Sequence, residues 1–75
     1  MTKREKLLAR ARKQPEGLTF AEFETLLRQC GCLFEHQTGS HRIWRSPANT
    51  VLSIQEGRDG KAKSYQVEQF LKHLE

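Results

Sequence analysis

His41 is the residue of this 75-residue chain best suited to acid/base chemistry. It follows Gly39 and Ser40 and precedes Arg42, Ile43 and Trp44. A glycine turn thus runs into a β-branched, aromatic stretch, with an imidazole at the junction between a hydroxyl and a guanidinium. A histidine changes charge near neutral pH, so a rigid strand start can hold one as general acid or base beside phosphate-binding charge. Metal-free cleavage of a ribose-phosphate chain needs a base for the 2′-hydroxyl, an acid for the leaving oxygen and cations on the phosphate. His41 fills one of the first two roles. Arg42, Arg45, Lys61 and Lys63 are candidates for the third, with Gly39 and Ser40 as backbone and hydroxyl contacts.

The second titrating group is not evident. His36 lies at the far end of the first hairpin strand, and its register across Thr38-Gly39 is open. His73 falls near the end of the last helix, where a cation suits the helix dipole. Other chemistries fit worse. Cys30, Cys32, His36 and His41 would form a metal set, but Cys-x-Cys is tighter than the two to four intervening residues of structural zinc. Ser40, as the sequence neighbour of His41, points away from it along the strand, so no Ser-His nucleophile arises. The expectation is no metal and no cofactor.

The elements that must position these residues read as follows. Lys3–Lys13 is rich in helix formers with a narrow stripe of Leu7, Leu8 and Ala11, and Gln14-Pro15-Glu16-Gly17 breaks it. Thr19-Phe20-Ala21-Glu22 is a capping box, Phe23, Leu26, Leu27 and Cys30 follow at helical spacing, and Gly31 closes the helix. Cys32–Gln37, Ser40–Ser46 and Thr50–Gln55 read as strands joined by two turns, Thr38-Gly39 and Pro47-Ala48-Asn49. Gly57-Arg58-Asp59-Gly60 is a loop, Ser64 caps the last helix, and Val67, Phe70, Leu71 and Leu74 form its apolar face. Alternation divides His41, Ile43 and Arg45 from Arg42 and Trp44, and each face then holds one large apolar residue and one or more basic ones. Which face meets the helices is open. Trp44 reads as core packing rather than base stacking. Phe23, Leu27, Phe70 and Leu71 should be among the most buried side chains.

Size and charge bound the function. A chain this short buries only about 60% of its unfolded surface, so it has one thin core and no cavity for a dinucleotide cofactor. Any chemistry acts at the surface on something large. The net charge of +4 is uneven: residues 1–13 hold six basic side chains against Glu5, and the remainder holds seven basic and eight acidic. A basic helix serves equally as a solvated face, a protein-docking arm or an RNA contact. Cys30 and Cys32 form no disulfide framework, and no secretory or membrane-length apolar segment is present, which reads as a reduced, cytoplasmic protein, monomeric when free.

Taken together, a helix from Thr19 to Gly31, the run Gly39-Ser40-His41 followed by Ile43 and Trp44, the strand Val51-Leu52-Ser53-Ile54 and a closing helix with Tyr65-Gln66-Val67 resemble the HicA (YcfA-like) family. Its members are small toxins of bacterial toxin–antitoxin pairs. The resemblance covers residues 18–75 and leaves 1–17 as a basic helical extension. It implies an α+β, double-stranded-RNA-binding-like fold of order α-β-β-β-α, with a three-stranded antiparallel sheet and helices on one face. It also implies cleavage of mRNA and neutralisation by a HicB-type antitoxin. Where many members carry a proline and a second histidine after the third strand, this chain has Gln55 and Glu56. The alternative is a non-catalytic RNA-binding or protein-docking module on the same scaffold.

Overall fold

The computed structural model describes residues 3–74. Met1, Thr2 and Glu75, the outer ends of the segments 1–17 and 18–75, lie outside the described residues. Along the chain run α1 (Lys3–Lys13), a 3₁₀ turn (Pro15–Gly17), α2 (Phe20–Gln29), β1 (Leu33–Thr38), β2 (His41–Arg45), β3 (Val51–Gln55) and α3 (Ser64–Leu74). From α2 onward this is the α-β-β-β-α order of a compact α+β fold.

The start of α2 is set by chemistry local to it. The Thr19 hydroxyl accepts from the Glu22 backbone N–H at 3.1 Å, and the Glu22 carboxylate accepts from the Thr19 N–H at 2.9 Å. Two of the four otherwise unpaired helix donors are thereby satisfied. Arg10 forms an ion pair with the same carboxylate and ties α1 to α2. The helix closes where Gly31 takes φ 88°, and a Cβ there would stand 3.0 Å from Pro47 Cγ. Both the left-handed backbone and the close approach favour glycine at that position.

Among the described residues the three strands form one antiparallel sheet in the order β1-β2-β3. The β1–β2 hairpin turns on Gly39-Ser40 alone, with Thr38 opposite His41 and Gly39 at φ 59°. A left-handed glycine at the first central position matches the twist that two-residue hairpins require. The β2–β3 turn is held by the Ser46 hydroxyl, which accepts from the Thr50 N–H at 3.0 Å, and by Asn49 at φ 67°.

Trp44 and Ile54 point from the sheet into a core shared with Phe23, Leu27, Val67 and Phe70. Phe23 meets Phe70 edge to face at 6.0 Å, and Phe34 meets Trp44 likewise at 5.6 Å. Both helices therefore cover one face and leave the other open. Leu71 departs from the sequence expectation. The apolar stripe of α3 is wider than the sheet can cover, so Val67 and Phe70 go deep while Leu71 is only partly buried, on the side shared with Arg12 of α1. Ala11 and Leu18 are fully buried in the same core, so the face of α1 that bears Ala11 is packed rather than free.

Candidate active site

The two faces of β2 are now distinguishable. Trp44 is buried against the helices, which puts Arg42 on the helix side and His41, Ile43 and Arg45 on the open side. Antiparallel pairing sets Thr38 on one flank of His41 and Gln55 on the other. His41 is exposed, as is Thr38. An imidazole here can touch a large ligand laid over the sheet.

Gln55 organises the polar surroundings of His41. Its amide nitrogen donates to the Ser40 hydroxyl at 3.0 Å, and its amide oxygen accepts from the Lys63 ammonium at 3.3 Å. Its backbone N–H donates to the buried Gln66 side chain of α3 at 3.0 Å. One glutamine thus joins the hairpin turn, the third strand and the last helix around the candidate base. Sequence reasoning missed it as a site residue, although a signal existed. Counting outward from the Pro47-Ala48-Asn49 turn sets His41 opposite Gln55, because each antiparallel pair sums to one constant.

The other expected residues are distributed unevenly. Gly39 and Ser40 adjoin His41 at the hairpin turn, and Lys63 reaches Gln55, the residue opposite His41. Lys61 is exposed two residues earlier in the same loop, where its backbone bridges to Thr19. Arg45 shares the open face but stands beyond Ile43, where it pairs with Glu35 and donates to the Asn49 side chain at 3.0 Å. The Arg45 guanidinium holds the Glu35 carboxyl below the usual carboxylate range, chiefly by that hydrogen bond. Arg42 is not brought to this group. It reaches Glu24 of α2 at 3.1 Å and lies over the rings of Phe20 and Phe34.

The cysteines belong elsewhere. Cys30 and Cys32 line a shallow depression with Ser46, Pro47 and His73, away from His41 and His36. Burial pushes both thiols up, away from the thiolate form. His73 sits in the last turn of α3 with Nε2 at 3.3 Å from the Ser46 hydroxyl. Among the described residues no three His, Cys, Asp or Glu side chains come together as a metal would need, and no helix is long and apolar enough to cross a membrane.

The described residues thus form a thin sheet backed by helices, with exposed His41 and the Ser40–Gln55–Lys63 hydrogen bonds on its other face. The family model for the HicA toxin of bacterial toxin–antitoxin systems matches residues 20–75, and the chain belongs to that family. The match takes in α2, the sheet and α3, the elements that build the site. Comparison with curated proteins and with solved structures gives no match. Family membership makes this chain a toxin-family protein whose partner is an antitoxin.

Proposed function

We propose that this toxin is an endoribonuclease that cleaves mRNA without a metal, with His41 as general acid or base. The observation that carries the reading is the exposure of His41 on the open sheet face, beside a hydroxyl and an ammonium linked through Gln55. In this reading the 2′-hydroxyl attacks phosphorus, and Ser40, the Gly39 backbone, Lys61, Lys63 and Arg45 meet the phosphates. Proton transfer by a placed histidine contributes about 10²–10⁴-fold to such a step. Purified protein should cut RNA to 2′,3′-cyclic phosphate ends with chelator present, and His41→Ala should lose that activity while RNA affinity changes little. A His41→Ala protein that cuts at the wild-type rate would return the chain to the binding-module reading.

The same face supports a docking role for the antitoxin, which we take to be of HicB type. Leu33 and Val51 are 72% and 53% exposed and flank Arg45 across the sheet. Apolar residues bared in a row beside a polar cluster favour a protein cover. An antitoxin laid there would mask His41 directly. The reading places the protein in the cytoplasm, where mRNA and antitoxin are met.

A further inference from the structure

We propose that His36 is the second proton-transferring group of this site, working with His41 on opposite sides of one phosphate. The inference rests on the ribonuclease reading and supplies the half of the chemistry that His41 alone leaves open.

The argument begins with an irregularity in β1. Leu33 pairs with Arg45 and Phe34 with Trp44, but the next pair is His36 with Ile43. Glu35 is an extra residue, a bulge. With uninterrupted register, Glu35 would oppose Ile43, and His36 would oppose Arg42 on the helix side. The bulge lets Phe34 stay inward on Trp44 while His36 turns outward. His36, Thr38, His41 and Ile43 consequently share the open face. Bulges commonly re-aim a side chain beside a site. His36 and His41 are both exposed and stand on diagonal positions of the hairpin, roughly 7–8 Å apart for such neighbours. A base and an acid acting on one phosphorus each stand a hydrogen bond of about 2.8 Å from an oxygen on opposite sides of it. Two imidazoles at diagonal positions bracket that span.

The charges around the pair differ at its two ends. Near His36 lies the Glu35 carboxylate, itself paired with Arg45, and the charge of His36 is a further, smaller cause of the low position of that carboxyl. Near His41 lies the Lys63 ammonium, reached through Gln55. Thr38, Ile43 and Ser53 complete the neighbourhood without charge, and among the described residues the helices pack on the opposite, Trp44 side of the sheet. In the step below the acid role goes to His36, at the Glu35 end, and the base role to His41, at the Ser40 and Lys63 end.

In the step, His41 takes the 2′-hydroxyl proton as the 2′-oxygen–phosphorus bond forms. The phosphorus–5′-oxygen bond breaks, and the imidazolium of His36 gives its proton to the departing 5′-oxygen. The products are a 2′,3′-cyclic phosphate and a 5′-hydroxyl. One proton is gained by His41 and one lost by His36, and exchange with water resets both.

The test compares two oligoribonucleotides, one ordinary and one with sulfur in place of the bridging 5′-oxygen, a leaving group that needs no acid. On ordinary RNA, His36→Gln and His36→Asn should each cut about 10²-fold more slowly than wild type, with unchanged affinity. They should also lose the fall in rate at high pH. On the sulfur substrate both should recover to near the wild-type rate, whereas His41→Gln should not. Full activity of the His36 variants on ordinary RNA, with wild type active and His41→Gln dead, overturns the His36 assignment alone. Slow cutting by these variants on both substrates overturns it too, because the loss then lies outside leaving-group protonation. A wild-type protein that leaves both substrates intact overturns the ribonuclease reading and this inference with it.

Discussion

Arg42 Nη1 lies 3.1 Å from each carboxylate oxygen of Glu24, so β2 is pinned to α2 by an ion pair at the edge of the core. Glu24 is only 7% exposed, whereas Arg42 keeps part of its guanidinium in water. The pair is therefore asymmetric: removing the arginine strands a buried carboxylate. Arg42→Ala should destabilise the fold by about 1–3 kcal/mol in denaturant unfolding. Replacing both residues with apolar side chains of similar size should cost less. A weakened RNA affinity without loss of stability would assign Arg42 to the ligand instead.

Thr19 and Glu22 offer a second test, in which pH is the variable. Thr19→Ala should cost about 1 kcal/mol through loss of the cap. Glu22 is held below the usual carboxylate range, first by its hydrogen bond from Arg10 and then by the Thr19 N–H. A carboxyl lowered in the fold stabilises it above the unfolded value, about 4.3, and that contribution is lost as pH falls through the lower folded value. Thermal unfolding of wild type and Glu22→Gln should accordingly differ most near neutrality and converge as the pH is taken well below about 4.3.

Leu27 is fully buried and Leu71 only partly so. Leu27→Ala should cost about 2–5 kcal/mol, a large share of the roughly 5–15 kcal/mol typical of a domain. Leu71→Ala should cost distinctly less. Urea midpoints of the two variants give the order, and equal losses would show that the α1 side of α3 is as tightly packed as the sheet side.

The basic helix predicts a salt effect. Because Ala11 is buried, deleting the helix would open the core, so charge removal is the cleaner change. Lys3, Lys6 and Lys13 are exposed, and their combined replacement by glutamine leaves that packing intact. If these side chains neutralise phosphates of single-stranded RNA, each phosphate left without its lysine should flatten the slope of log affinity against log salt by about 0.7. Cleavage positions should stay the same, since the helix carries no aromatic side chain on which a base could stack.

Much of this fold was legible because its signals are local. Thr19 with Glu22, Gly31, Gly39 and Pro47 each act within a few residues, and together they place α2 and both hairpins. What escaped is what alternation cannot resolve. Residues 41–45 offer a large apolar side chain and a basic one to either face, so pattern alone could not orient His41. The Glu35 bulge carries no glycine to announce it, and it moves His36 from one face to the other. Gln55 drew no attention because an amide does not titrate; its importance is positional, at the meeting of three elements. Arg42 read as a phosphate ligand from its neighbour His41, yet adjacent strand residues face opposite ways, and Glu24 was eighteen residues distant.

Trp44 is the one tryptophan of the chain, buried beneath the Arg28 guanidinium at 5.5 Å, on the side of β2 away from His41. Its emission is thereby a built-in reporter of the packed interior. Unfolding floods the indole with water and should shift the emission to the red, whereas RNA or antitoxin seated on the opposite face leaves its surroundings dry. Fluorescence from this single ring should therefore tell a variant that has lost its fold from one that has lost only its chemistry.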